Sequence, residues 1–424
     1  MAKLQKYYDL DNAAKIFPVV ANESRTYMFR ISVVFKEEIN REVLVEALVK
    51  TTKRFRHMNV RLRRGLFWHF YEENKKNPIL YEDTGYVNEF LYFRENNDFL
   101  FRTMYYKQRL TVEYFHALTD GKGALEFINS LAFEYLNLLG KEIEPEGLIK
   151  TIDSLGNYQE IEDQFKKLYH KKKIKKAKEP KAHHLKGTNY ANNYNAVMHL
   201  YLSVEKMKAV VKAYNCTVTE FFAASLILAA KRSGGLDKYK HLFRLFIPVN
   251  MRQYFPSVTM RNFISYFRIN YDLNQNDLKL EQVITDVKRM MKEELNVERM
   301  IDQIVENVKI EKNFLLRAVP LPVKVVAMRS AYGIVGEALN SYVISNLGKV
   351  TIPKKMESFI SHYQFIITPS NDTPKVAAVI SYQDTLCISF ISKIVEREFE
   401  QAFVKILSEN GLSMQIEANN WEVL

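Results

Sequence analysis

His116 and Asp120 stand four residues apart in the segment Tyr114–Gly121, and a glycine follows the aspartate directly. A neutral imidazole can take the proton of an alcohol or amine as that group attacks an electrophile, so His116 is a candidate general base. A histidine in this position can also be a strand-end side chain that bonds only to the backbone. The surrounding elements and the rest of the chain must separate these two interpretations.

Two regular elements are predicted to hold this segment. Arg109–Phe115 alternates in the manner of a half-buried strand, and Gly123–Leu139 has apolar residues at helical spacing before Gly140 ends the helix. His116 would then lie at a strand's end and Asp120 at a helix's start, with a tight turn at Gly121. Such a turn keeps an imidazole rigid and lets it face a cleft. In the second half, Thr217-x-x-Glu220 predicts a capping box before a buried helix.

The octapeptide resembles the His-x-x-x-Asp-Gly signature of acyltransferases that share the chloramphenicol acetyltransferase fold. These include BAHD acyltransferases, alcohol acetyltransferases, wax-ester synthases and the condensation domains of peptide synthetases. The segment Asp11–Ala14 is also similar to the start of such enzymes. The resemblance implies an α/β fold (α+β mixed sheets) made of two chloramphenicol acetyltransferase-like subdomains, with the active-site channel at their interface.

Two later stretches resemble further parts of this superfamily. Phe246–Ser257, continuing to Phe263, is similar to the strand and loop that carry an arginine facing the motif aspartate and then an asparagine. The resemblance places Arg252 opposite Asp120, with Arg261 as the alternative, and makes Asn262 a substrate-binding residue. The pairing is physically sensible, because a buried carboxylate needs a partner and a guanidinium offers a planar, bidentate one.

The third stretch, Tyr342–Gly348, looks like the Ser-Asn-Leu-Gly turn of bacterial and fungal members, which approaches the channel from the second half. It implies Ser345 and Asn346 as substrate-binding residues. The backbone N–H groups of Gly121, Ser345 or Asn346 would then stabilise a tetrahedral intermediate.

The mechanism implied is direct acyl transfer. His116 would deprotonate the acceptor and return the proton to the departing thiolate, while Asp120 holds the turn through Arg252. No acyl-enzyme, metal or tightly bound cofactor is expected, and an acyl-CoA serves as co-substrate. The acceptor would be a small-molecule alcohol or amine, with O-acylation favoured.

Departures from the family patterns narrow this expectation. Phe115 stands where condensation domains usually have a second histidine, and both the Asp-Phe-Gly-Trp-Gly motif of plant BAHD enzymes and a Gly-rich phosphate loop are absent. These features favour a stand-alone alcohol acetyltransferase-like enzyme that moves an acetyl group. Two alternatives stay open: a condensation-like enzyme with an acyl donor on a carrier protein, and a non-catalytic member that only binds ligands.

The charge is concentrated in one segment. The net charge is +12, and Lys166–Lys186 contains ten lysines and one acid, Glu179, or 10 − 1 = +9 of that total. No nucleic-acid motif accompanies it, so we expect no nucleic-acid partner. This segment is a solvated connector or an electrostatic lip for phosphates of the donor or an acidic carrier protein. His183 and His184 lack a third ligand at metal-site spacing.

The chain's length favours two subdomains. We place the N-terminal subdomain at 1–155, the Lys-rich connector at 156–193 and the C-terminal subdomain at 194–424. Near the C-terminus we expect a meander of strands at Tyr363–Pro369, Val376–Tyr382 and Thr385–Ile391. Two cysteines, Cys216 and Cys387, together with the lack of a signal-peptide pattern or an apolar run long enough for a membrane span, predict a cytoplasmic protein.

Overall fold

The computed structural model describes residues 7–154, 156–174, 179–234 and 239–419. The strands are β1 (Tyr7–Asp9), β2 (Met28–Phe35), β3 (Val60–Arg64), β4 (His69–Glu73), β5 (Leu80–Glu82), β6 (Phe101–Tyr106), β7 (Arg109–Phe115), β8 (Ala196–Ser203), β9 (Phe243–Asn250), β10 (Ile264–Tyr271), β11 (Tyr342–Lys349), β12 (Ile360–Ile367), β13 (Lys375–Tyr382), β14 (Thr385–Ser392) and β15 (Met414–Ala418).

The α-helices are α1 (Phe17–Val20), α2 (Arg41–Arg54), α3 (Gly121–Leu138), α4 (Gln164–Leu168), α5 (Val204–Ala213), α6 (Val218–Ser233), α7 (Leu280–Glu294), α8 (Val297–Lys312), α9 (Phe314–Ala318), α10 (Leu321–Val335), α11 (Lys354–Glu357) and α12 (Glu398–Glu409). The predicted strand at Arg109–Phe115 and the predicted capping box of α6 are both present.

The first large sheet carries the His116 segment. Its five strands lie in the order β12-β2-β7-β6-β5, antiparallel except for the pair β5–β6. The central strands β2 and β7 are almost entirely buried, and α3 packs against both of them and against α2. The strand that ends at Phe115 is therefore held on both edges and covered by a helix, which makes its end a rigid platform.

The second large sheet has seven strands in the order β10-β9-β11-β13-β14-β8-β15, and β11 is parallel to both of its neighbours. Its covering helix α6 contacts α7, α12 and β9. Ten consecutive residues of α6, 221–230, are buried, so this helix forms the centre of the second core. The fold is thus the two-lobed α/β arrangement with mixed sheets that the sequence predicted.

The predicted meander near the C-terminus is wrong in one strand. β13 and β14 form an antiparallel hairpin, but β12 pairs with β2 in the first sheet and not with β13. The pairing with β2 covers what would otherwise be an open edge of the first sheet. The first sheet consequently includes a strand from the C-terminal segment, although the subdomain boundaries in the chain stay a prediction.

The connector contacts the second lobe at several points, while many of its residues, among them Lys171, Lys173, Lys181 and Lys186, stay exposed. Phe165 is buried, and Ala182 and Asn189 form isolated bridges with Leu242 and Ile394. Lys172 pairs with Asp302 at 2.7 Å, so part of the positive charge is neutralised. Lys175, Lys176 and Lys178 lie outside the described residues.

Among the described residues, no single helix is long and apolar enough to cross a bilayer. The helices α5 and α6 satisfy the criteria of length and composition only as a pair, and they are bent by 78° relative to each other.

Candidate active site at the meeting of the two lobes

His116 lies directly after β7 at the floor of a cleft. It is the one residue between Leu110 and Asp120 that is not buried. Its backbone N–H donates to the carbonyl of Tyr27 at 2.9 Å. The imidazole stacks on Phe17 with the ring centres 4.7 Å apart, and Phe29 meets it edge-on at 5.1 Å. These contacts fix the ring in one orientation.

Asn262 determines which imidazole nitrogen carries the proton. Its Nδ2 donates to the backbone carbonyl of His116 at 3.0 Å and lies 3.4 Å from Oδ2 of Asp11, so both neighbours of Nδ2 are acceptors. The Oδ1 of Asn262 therefore faces Nδ1 of His116, at 3.0 Å, and Nδ1 must be the donor in that bond. The lone pair of the neutral ring is then on Nε2, at the opposite edge of a side chain that lines the channel.

Burial lowers the pKa of His116 below its usual value of 6.5, against smaller opposing contributions from a hydrogen bond with its own backbone, from the Asp120 carboxylate and from the bond with Asn262, in that order. The imidazole is therefore neutral at physiological pH. Asn262 itself is 1% exposed and does not line the channel. The structure thus places Asn262 behind His116, whereas its expected substrate-binding role stays a prediction.

Asp120 caps helix α3 and does not contact the imidazole. Its Oδ1 accepts from the N–H of Gly123 at 3.1 Å, and its Oδ2 accepts from Nη1 of Arg252 at 2.7 Å and from the N–H of Phe263 at 2.8 Å. Three donors thus satisfy a carboxylate that is 1% exposed. This arrangement ties the turn after His116 to the 250–263 loop of the other lobe.

Arg252 is the partner of Asp120, as the resemblance implied, but the pair is not bidentate. One guanidinium nitrogen reaches the carboxylate, while Nε and Nη2 donate to the carbonyl of Thr259 and Nη2 also donates to that of Arg261. The alternative partner, Arg261, instead lies against Asp11, with Nε 3.4 Å from Oδ2. Burial is the main reason that the pKa of Asp11 rises to about 6.

Two glycines permit the close contact of the lobes. A Cβ at Gly121 would lie 2.3 Å from Cδ2 of Leu347, and a Cβ at Gly123 would lie 2.1 Å from the carbonyl oxygen of Met260. The hydroxyl of Thr119 donates to that same oxygen at 2.6 Å. Sequence reasoning missed the role of Gly123, although its place in the first turn of α3, directly after the Asp-Gly pair, was a usable signal.

The second lobe contributes the end of β11. This strand pairs with β9 only at Tyr342 and Val343, so the two strands separate and Ser345 and Asn346 line the channel. The side chain of Asn346 is held in place, because its Nδ2 donates to Thr219 at 3.1 Å and its Oδ1 accepts from the N–H of Gly348 at 2.8 Å.

The channel has a volume of about 840 Å³ and reaches from the first sheet to α7, α8 and α10. The wall near His116 is aromatic, whereas the wall on the second lobe carries polar groups such as Gln303 and Asn340. Phe246 and Tyr266 stack with their ring centres 4.8 Å apart, and the guanidinium of Arg268 lies 5.5 and 4.9 Å from the two ring centres. Arg268 Nε donates to Asn340 at 2.8 Å. The channel can accept an apolar group on one side and a polar one on the other.

No cluster of three or more His, Cys, Asp or Glu side chains that could hold a metal ion occurs among the described residues. The adjacent histidines of the connector have separate partners. The backbone N–H of His183 donates to Leu242, and Nδ1 of His184 lies 2.8 Å from the carbonyl of Asp372.

Comparisons with known proteins concern the family and the fold, and the matched family segment begins after His116 and Asp120. The family model described as alcohol acetyltransferase matches residues 141–314, a stretch that includes Arg252 and Asn262. A search of curated protein sequences returns no significant match.

Solved structures with the same fold cover nearly the whole chain. The structure of TRI101 from F. sporotrichioides, complexed with coenzyme A and T-2, has a TM-score of 0.60 at 11% identity over 98% of this chain and 100% of that one. The wax ester synthase/diacylglycerol acyltransferase of Marinobacter aquaeolei VT8 has a TM-score of 0.56 at 13% identity, over 95% and 100%. The starter condensation domain of rhizomide synthetase, in complex with C8-CoA and Leu-SNAC, has a TM-score of 0.59 at 12% identity, over 96% and 94%.

Proposed function

We propose that this chain moves an acyl group from a CoA thioester to an alcohol or amine. It would do so as a member of the acyltransferase superfamily that shares the chloramphenicol acetyltransferase fold, to which the alcohol acetyltransferases also belong. The observation that carries the proposal is the bond between Asn262 and Nδ1 of His116. It leaves a basic nitrogen, Nε2, directed into a channel that both lobes line.

The proposed reaction has one nucleophilic attack and no acyl-enzyme. An alcohol O–H donates to Nε2 of His116, and its oxygen attacks the thioester carbonyl as the proton moves to the ring. The C–S bond of the tetrahedral intermediate then breaks. The Nε2–H of the imidazolium returns that proton to the thiolate, so the ester and free CoA are released and His116 is again neutral. The Nδ1–H stays bonded to Asn262 throughout.

Negative charge develops on the former carbonyl oxygen during this sequence. The first N–H groups of a helix have no intrahelical acceptor. In α3 that of Gly123 donates to Asp120, whereas Gly121 and Lys122 line the channel. We assign their N–H groups, with the backbone of Ser345 and Asn346 opposite, as the donors to the oxyanion. The positive end of the 18-residue helix α3 adds to the same effect.

The acceptor we favour is an alcohol, and the donor we favour is acetyl-CoA. The matched alcohol acetyltransferase family supports both choices, and the aromatic wall around His116 suits an apolar acceptor. Cys216 and Cys387 are both free thiols, which supports the proposed cytoplasmic location.

The deciding experiment measures free-thiol release from acetyl-CoA, from longer acyl-CoAs and from an acylated carrier protein, each against a panel of alcohols and amines. We expect thiol release with an acyl-CoA that depends on an alcohol. His116→Ala should lower turnover by roughly 10²–10⁴-fold with an unchanged circular-dichroism spectrum, the usual contribution of a positioned base.

Thiol release with the carrier protein alone would favour the condensation-like alternative, in which the connector serves as a docking face. No release with any donor, combined with binding of an acyl-CoA, would favour a non-catalytic member. Equal turnover by the parent and by a folded His116→Ala protein would exclude the proposed mechanism.

A further inference from the structure

Helix α10 exposes an uncharged face. The exposed residues of the helix are Pro322, Val323, Val326, Ala327, Ser330, Ala331 and Gly333, and one charged residue, Arg329. Val323, Val326, Ala327 and Ser330 recur at helical spacing and so share one face. The helix's cations are bound by the protein: Nζ of Lys324 donates to the carbonyl of Phe67 at 3.0 Å, and Nε of Arg329 donates to that of Val19 at 2.6 Å.

Apolar side chains from three other segments extend this face. The N–H of Leu321 donates to the carbonyl of Leu66 at 2.8 Å, which places the tip of the β3–β4 hairpin beside the start of α10. Leu66 is 69% exposed, Phe314 80% and Val326 67%. We call this the apolar surface, formed by Tyr7, Leu66, Phe67, Phe314, Val323 and Val326. Single exposed apolar residues are common on protein surfaces, but a contiguous group of them indicates a binding surface.

Arginines stand at the edge of the apolar surface. Arg64 ends β3 next to Leu66, and Arg317 lies in α9 three residues after Phe314; both side chains are exposed. Within the described ranges neither of them forms an ion pair. Among the residues described in this region, the one carboxylate, that of Asp9, lies 3.7 Å from Nζ of Lys166. Apolar groups with cations beside them are the combination that anionic bilayers bind, since the former enter the headgroup boundary and the latter meet the lipid phosphates.

The other end of α10 reaches the channel. Tyr332 and Gly336, at the far end of α10, line the channel, and the hydroxyl groups of Tyr27 and Tyr332 are 2.8 Å apart.

We propose that the apolar surface docks the protein on an anionic membrane surface. A second copy of the chain fits less well, because a two-fold interface places the same patch on both partners and would bring the arginine pairs of two copies together. Anionic lipid instead neutralises these cations. Docking stands independently of the proposed acyl transfer, and it would present the channel mouth to lipid-soluble acceptors if that function holds.

The test is co-sedimentation of the full chain with vesicles of phosphatidylcholine alone and of phosphatidylcholine with phosphatidylserine. We expect binding that is stronger with phosphatidylserine. The double variant Val323→Glu/Val326→Glu should lose at least about tenfold in partition coefficient, because it removes two apolar groups and adds repulsion from the lipid. Arg64→Gln/Arg317→Gln should lose roughly tenfold with phosphatidylserine and little without it.

Val297→Glu is the matched control. Val297 is exposed at the start of α8, whereas Phe314 of the apolar surface follows the end of that helix. It should bind vesicles like the parent. Thermal melting of each variant separates lost docking from lost folding, and thiol release with a water-soluble acceptor should not change.

Absence of parent binding to both vesicle types would overturn the proposal. Equal binding of the parent and the folded Val323→Glu/Val326→Glu protein would do the same. A parent that is a dimer, binds no vesicles and becomes a monomer in that double variant would show that the surface is instead covered by a second copy.

Discussion

The Oδ1 of Asn262 lies 3.0 Å from Nδ1 of His116, while Nδ2 of the same side chain faces only acceptors. One amide from the second lobe thereby sets the tautomer of an imidazole in the first lobe. The second lobe therefore contributes to the state of the base, beside the hydrogen bond between the imidazole and the backbone of His116 itself.

Replacing Asn262 by Ala should remove the hydrogen bond that keeps the proton of the neutral His116 ring on Nδ1. We expect kcat to fall by roughly 10²-fold while His116 remains present, because the ring can then turn or protonate at the wrong nitrogen. The ¹⁵N NMR shifts of His116 report the tautomer directly and should change from mainly Nδ1–H to a mixture. Asn307→Ala is the control, since Asn307 also lines the channel but does not contact His116. An unchanged tautomer in the Asn262 variant would show that Asn262 does not control the protonation of His116.

The Asp120–Arg252 pair should show strong energetic coupling. Removing either partner leaves a buried charge without its counter-ion, so Asp120→Asn and Arg252→Ala should each lower the free energy of unfolding by about 3–5 kcal/mol. The double variant should lose less than the sum of both.

The exposed pair Arg232–Glu409, also 2.7 Å apart, provides a comparison in the same protein. Its coupling should stay below about 1 kcal/mol, because water screens both groups. Denaturant unfolding of all variants gives the two double-mutant cycles. Equal coupling in the two cycles would mean that burial of Asp120 contributes nothing.

Gly123→Ala should be severely destabilising although alanine favours helices. Its Cβ would overlap a backbone carbonyl, that of Met260, which cannot rotate away. We expect a loss of roughly 2–4 kcal/mol and lower turnover, because the turn that carries His116 must move. Gly333→Ala, in helix α10, should be neutral or stabilising, because the added methyl group would meet no atom within 4 Å. Matching melting temperatures for the two variants would contradict the steric argument.

The pH dependence of kcat/KM should have its acid limb below pH 6.5. Burial lowers the pKa of His116, and the neutral form is the active one, so activity rises with pH through that lowered pKa and is flat at neutral pH. An acid limb above 6.5 would contradict the assignment of His116.

Folding must be measured over the same range. His57 and His199 have pKa values of about 3, lowered by burial from 6.5. Between pH 3 and 6.5 the unfolded chain therefore binds more protons than the folded one, and stability falls as the pH drops through this window. A thermal melt at each pH separates this loss from protonation of His116.

Local patterns in the sequence were sufficient to predict several elements. The alternation in Arg109–Phe115 depends only on which side chains a strand can bury, and the Thr217–Glu220 capping box depends on groups three residues apart. The motif at His116 and Asp120 and the arginine at 252 were likewise available from residue types and their order, through resemblance to known acyltransferases. These inferences hold because the interactions concerned lie within one turn, one strand or one recognised motif.

Only the tertiary structure could decide what distant segments do to one another. The chain between positions 116 and 262 gives no local signal that Asn262 would bond to the imidazole. The pairing of β12 with β2 joins segments more than 300 residues apart and depends on which sheet edge is open after folding. The same holds for the exposed face of α10, because other segments decide whether it is covered. By itself, the sequence determined the chemical groups and the local elements that hold them; folding decided which groups meet and which apolar face stays uncovered, because both depend on contacts between distant segments.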